Sequence, residues 1–149
     1  MTLNDVLRSL RHTLNINEIK LVEIIRLANY DVDRALINSY LKKEEEEGYE
    51  ECSHTVMAHF LDGLIYYKRG KDENRPIPPI ELPVTNNIIL KKLRVAFELK
   101  DTDIVALIEK CGLRVSKAEL NAFFRSPVHR NYRECGDQFL RNLLKGLTP

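Results

Sequence analysis

Residues 4–64, NDVLRSLRHTLNINEIKLVEIIRLANYDVDRALINSYLKKEEEEGYEECSHTVMAHFLDGL, return without a gap 83 positions later as residues 87–147, NIILKKLRVAFELKDTDIVALIEKCGLRVSKAELNAFFRSPVHRNYRECGDQFLRNLLKGL. Of the 61 paired positions 15 are identical, among them Asn4/Asn87, Leu7/Leu90, Leu10/Leu93, Arg11/Arg94, Ile25/Ile108, Asn38/Asn121, Cys52/Cys135 and Gly63/Gly146. Conservative pairs such as Leu14/Phe97, Tyr40/Phe123 and Phe60/Leu143 extend the match. An ungapped internal repeat makes each copy one structural unit, and substitutions between copies report what the unit tolerates.

Within each copy the apolar residues recur at helical spacing in four segments, with no strand-like alternation. The first helix starts at Asn4 or Asn87 as N-cap and lines one face with Leu7, Leu10, Leu14 or Leu90, Leu93, Phe97. The second carries Leu21, Val22, Ile24, Ile25 and Ala28, matched by Ile104, Val105, Leu107, Ile108 and Cys111. It ends at Asn29 or Gly112, the two residue types that adopt a left-handed cap most readily. Ser116 and Glu119 form the capping-box pattern at the start of the third, where copy one has Asp33, and this helix runs through Tyr40, Leu41 or Phe123, Phe124. The fourth carries Val56, Met57, Phe60, Leu61, Leu64 or Phe139, Leu140, Leu143, Leu144, Leu147.

The predicted fold class is all-α, a helical bundle of two tandem four-helix repeats with pseudo-two-fold symmetry. Repeat one covers residues 4–67 and repeat two residues 87–148. Residues 68–86 form a linker in which Pro76, Pro78, Pro79 and Pro83 forbid a continuous helix, while Ile77, Ile80, Leu82 and Val84 should lie against the bundle. A length of 149 residues suits one domain, and copies of about 60 residues are small enough that a shared core is expected.

Composition narrows the function classes. The net charge of +1, with 44% apolar and 30% charged residues, is that of an ordinary globular chain and argues against generic polyanion binding. The charge is unevenly divided: residues 1–75 hold 11 Lys and Arg against 14 Asp and Glu, residues 76–149 hold 12 against 8. No apolar run reaches membrane-span length and the first residues lack a signal-peptide pattern, so a cytoplasmic protein without membrane association is expected. Three cysteines without a CxxC pair do not make a disulfide framework.

The most distinctive polar feature is the repeated Tyr-x-Glu-Cys, at Tyr49, Glu51, Cys52 and Tyr132, Glu134, Cys135, just ahead of the fourth helix. A thiol at a helix N-terminus can ionise early and react. The adjoining glutamates oppose thiolate, and no histidine is placed to assist, so a buried structural cysteine is the expected role. Cys52, His54 and His59 resemble a partial metal set, yet copy two has Asp137 and Asn142 at the histidine positions, and no metal or cofactor is expected. No phosphate loop, nucleophile elbow or zinc-protease helix occurs, and no catalytic residue is assigned.

Helices two and three of the second copy invite comparison with a helix-turn-helix. Lys117, Asn121 and Arg125 would reach bases or phosphates, and Arg130, Arg133 and Arg141 would add backbone contacts. The turn GLRVS is longer than the usual tight one, and copy one places Glu44, Glu45, Glu46 and Glu47 after the corresponding helix, where they repel phosphate.

Three long strings, DGLIYYKRGKDE at 62–73, NNIILKKLRVAFELK at 86–100 and NYRECGDQFLRNLLKGL at 131–147, resemble the YehS-like family of small bacterial proteins. The resemblance spans the duplication and implies no activity, cofactor or site residue, since that family is one of unknown function. The expected role is a non-enzymatic protein-interaction or regulatory module with a protein partner still to be identified. A homo-oligomer would use the same surface, and nucleic acid bound through the basic second copy is the alternative.

Overall fold

The computed structural model describes residues 1–149 and is all helical: α1 (Leu3–Leu14), α2 (Glu18–Leu27), α3 (Arg34–Leu41), α4 (His54–Arg69), α5 (Asn86–Ala96), α6 (Asp101–Lys110), α7 (Lys117–Phe123) and α8 (Asp137–Leu147). The chain forms two compact units, Met1–Val84 and Thr85–Pro149, each holding one four-helix copy of the repeat.

In the first unit the apolar stripes of α1 to α4 converge on Leu7, Leu10, Leu21, Ile24, Ile25, Ile37, Met57, Phe60, Leu61 and Leu64, all withdrawn from solvent. In the second, Ile89, Leu90, Leu93, Ile104, Ile108, Leu120, Leu140 and Leu143 do the same. The most extensive helix pairing is α2 on α4 in one unit and α6 on α8 in the other. Gly63 makes the first pairing close: a Cβ there would overlap the backbone carbonyl of Ile24. The counterpart Gly146 has more room, its nearest neighbour being the Leu107 side chain at 3.3 Å.

Helix ends follow the capping logic with two corrections. Asn4 and Asn87 are not N-caps but the second residues of α1 and α5, in the first turn and buried. The caps are Thr2 and Thr85, whose hydroxyls accept from the Asp5 and Ile88 N–H groups at 3.1 and 3.3 Å. This Thr pair also obeys the 83-residue offset, two places before the quoted stretch. Asn29 (φ 60°) and Gly112 (φ 82°) take the left-handed conformation expected after α2 and α6. Ser116 Oγ accepts from Glu119 N–H at 3.1 Å, but the Glu119 carboxylate meets the Ser116 hydroxyl at 3.3 Å rather than the cap's backbone N–H, so only half the box forms.

The segment between the copies starts later than the proline pattern indicated. Lys68 and Arg69 complete α4, where their charges suit the helix C-terminus, and Gly70 (φ 87°) ends it. Of the linker's apolar residues, Val84 is buried, Ile77 and Ile80 are half-buried, and Leu82 is exposed.

Candidate functional site

The retained polar residues meet at one place in each unit. Asn4 Nδ2 donates to the carbonyls of Tyr40 at 3.0 Å and Glu50 at 2.8 Å, while its Oδ1 accepts from the Cys52 N–H at 2.9 Å. Asn87 repeats this with Phe123 O at 3.0 Å, Arg133 O at 2.8 Å and Cys135 N at 2.9 Å. A single amide thereby ties the first helix to the end of the third and to the stretch of chain entering the fourth. Buried backbone groups there have no helix or sheet partner, and a side chain offering two donors and an acceptor satisfies three of them at once.

The same fastening defines the loops that it closes. In the first unit Glu46 N donates to Lys43 O at 3.0 Å, Tyr49 N to Glu46 O at 3.2 Å and Glu50 N to Ser39 O at 3.3 Å. In the second, His129 N donates to Ser126 O at 2.8 Å, Tyr132 N to His129 O at 2.9 Å and Arg133 N to Ala122 O at 3.2 Å. Every one of these bonds recurs at the 83-residue offset, so the two loops share a turn pattern while their side chains differ.

Within the Tyr-x-Glu-Cys signature the roles divide by depth. Cys52 and Cys135 are buried, and their Sγ atoms face the carbonyls of Ser53 at 3.5 Å and Gly136 at 3.6 Å. Burial pushes both thiols up to about 12, which leaves them protonated near neutrality. Tyr49 and Tyr132 are half-buried with phenols raised by desolvation, and secondarily by Glu44 for Tyr49 and by Glu134 for Tyr132. Glu51 and Glu134 point to solvent. His54 and His59, which the spacing grouped with Cys52, go elsewhere: His54 Nδ1 accepts from Val84 N–H at 3.0 Å, and His59 stacks on Tyr30 with ring centroids 4.1 Å apart. No group of three or more His, Cys, Asp or Glu side chains converges as a metal ion requires.

What the loops display is charge of opposite sign. Glu44, Glu45, Glu46 and Glu47 are all exposed at the tip of the first. The second presents Arg125, Arg130 and Arg133, with Val128 between them 94% exposed. The remaining nucleic-acid candidates, Lys117, Asn121 and Arg141, are also exposed, on α7 and α8. Arg133 is partly engaged by Glu119 at 3.7 Å. The one arginine pair retained between copies, Arg11/Arg94, lies off the loops: Arg94 stands over the Phe124 ring at 4.5 Å and 3.3 Å from Asp101.

Asn4 and Asn87 are the residues that sequence reasoning misplaced. Their signal was present: an identical polar residue three positions before Leu7 and Leu90 falls on the apolar face, where an N-cap would not.

A duplicated four-helix unit closed by an Asn–Cys fastening is matched twice by one family model, described as a protein of unknown function (DUF1456), over residues 3–70 and 86–149. The chain belongs to the DUF1456 family. The two matches coincide with the two copies of the repeat. Among curated proteins the chain is similar to the uncharacterized protein YehS of Escherichia coli (strain K12), with 50% identity over 148 residues covering 99% of this chain and 95% of that one. No solved structure matches it. No helix of this DUF1456 protein is long and apolar enough to cross a membrane.

Proposed function

We propose that the protein is a non-enzymatic interaction module whose two docking surfaces are the loops 42–52 and 125–135. One observation carries this reading: two loops with the same backbone hydrogen bonds and the same asparagine fastening hold four exposed carboxylates in one unit and exposed arginines around a bare valine in the other. A rigid support under a charged tip favours recognition because little conformational entropy is lost on binding. The polar groups of the repeated site support this reading: the asparagine amides are engaged in holding the loops, and the buried thiols stay protonated near neutrality.

The test is retention of the full chain on immobilised oligoglutamate and oligolysine. Neutralising the basic loop with R125Q/R130Q should advance elution from oligoglutamate only, and E44Q/E45Q/E46Q/E47Q should advance elution from oligolysine only. Elution of both variants with the parent would refute the docking-loop reading.

Nucleic acid is the second reading, favoured by the exposure of Lys117, Asn121, Arg125, Arg130, Arg133 and Arg141 in one unit. Its weak point is α7, whose seven residues make less than two turns of a recognition helix. A mobility shift with duplex DNA at about 50 mM salt, abolished by R130E/R133E, would support it, and no shift at that ionic strength would end it.

A further inference from the structure

Docking through charged loops leaves the partner open, and the chemistry of the two tips narrows it. Building on the docking-loop reading, we infer that the acidic loop of one molecule docks on the basic loop of a second copy of the same chain, joining copies head to tail.

The charges at both tips are unspent. Glu44, Glu45, Glu46 and Glu47 make no ion pair; of their carboxylates Glu46 Oε1 accepts from Lys43 N–H at 3.1 Å, while Lys42 Nζ is turned to the Glu47 backbone carbonyl at 2.9 Å. Four carboxylates crowded on one turn repel each other and are relieved by an incoming cation.

On the basic loop, Arg130 has no partner, and Arg125 Nη1 abuts His129 Nε2 at 3.2 Å. The same imidazole accepts from Asn131 N–H at Nδ1, 3.0 Å away. A neutral ring that accepts at Nδ1 carries its proton on Nε2, so the Arg125 guanidinium faces an N–H and is left without an acceptor. A guanidinium in this condition is suited to a carboxylate, which takes two of its donors side by side. Val128, 94% exposed beside them, supplies the apolar contact that such a pairing would cover.

Charge also decides the mode. An acidic loop facing its own kind, or a basic loop facing its own, is repulsive, which excludes a symmetric contact through either loop. Only the unlike pairing attracts, a contact between two different patches of the chain. Assembly by this route weakens with salt, because exposed pairs are screened beyond about 10 Å at 0.1 M.

The experiment is sedimentation velocity of the full chain over a range of protein concentrations. At about 20 mM salt the weight-average mass should rise above that of a 17.3 kDa monomer with concentration, and at about 500 mM it should return to the monomer. E44Q/E45Q/E46Q/E47Q and R125Q/R130Q, both folded as the parent by thermal unfolding, should each associate about tenfold more weakly alone, the sum of a few exposed ion pairs. Mixed in equal amounts they should form a complex that stops at two chains, since each retains one live loop. A parent that stays monomeric at low salt overturns the proposal; if its loops still discriminate oligoglutamate from oligolysine, the docking-loop reading survives without it. Association that persists undiminished in both Gln variants, or a monomer that shifts DNA through Arg125 and Arg130, also overturns it.

Discussion

Asn4 and Asn87 each satisfy three backbone groups that have no alternative partner, so their removal is costlier than an average surface hydrogen bond. Asn4→Ala is expected to lower unfolding free energy by about 3 kcal/mol in urea titration, with Asn87→Ala similar. Asn4→Asp should be worse, because a carboxylate keeps the acceptor toward Cys52 N–H but turns two donors into repulsion against the Tyr40 and Glu50 carbonyls. The thiols add a pH dependence. An ordinary thiol titrates near 9.0 and the buried ones near 12, so below about pH 9 both folded and unfolded chains hold the proton and nothing is lost. Above it the unfolded chain releases protons that the folded chain keeps, and stability declines as pH rises from 9 toward 12. Cys52→Ala and Cys135→Ala should flatten that alkaline decline, measured by denaturant midpoints at stepped pH. Labelling of both cysteines at about pH 8 should proceed only at the rate of unfolding; rapid labelling of the folded chain would contradict their burial.

At the scale of elements, the two central helix pairs differ in how closely they pack. An added methyl at Gly63 meets the Ile24 carbonyl, a backbone atom that cannot yield without moving α2, whereas at Gly146 it meets the Leu107 side chain at 3.3 Å. Gly63→Ala is therefore expected to cost about 3 kcal/mol or more, in the range of overpacked cores. At Gly146 the gain in helix propensity, about 1 kcal/mol, offsets the mild crowding, and Gly146→Ala should fall within about 1 kcal/mol of the parent. Thermal unfolding of the two variants side by side checks the asymmetry. The loops are the complementary case: their turn-forming backbone hydrogen bonds are the same, so exchanging the exposed charged side chains between them should alter charge and leave stability within about 0.5 kcal/mol.

For the whole molecule, the two fastenings share no partner and belong to different compact units. The costs of Asn4→Ala and Asn87→Ala should accordingly add to within about 0.5 kcal/mol in the double variant. Strong non-additivity would mean that the units communicate through the residues around these amides. The uneven charge acts at the same scale: residues 1–75 are net negative and residues 76–149 net positive, so a nearly neutral chain carries two halves of opposite sign, and the proposed association between molecules should weaken with ionic strength.

Helix number, helix type, the duplication and most helix ends were legible in the chain, because helical periodicity and left-handed caps at Asn29 and Gly112 are local properties written in neighbouring residues. The role of Asn4 and Asn87 was not. An asparagine near a helix start reads as a cap from local sequence, and only folding brings Tyr40, Glu50 and Cys52, 36 to 48 residues away, within reach of its amide. For the Tyr-x-Glu-Cys motif the adjoining glutamates already pointed to a buried structural cysteine, and both sulfurs are buried, although what they lie beneath was not local information. Local sequence dictates where backbone turns; long-range packing dictates which polar groups lose water, and that loss converted a conspicuous motif into a support for the charged loops above it.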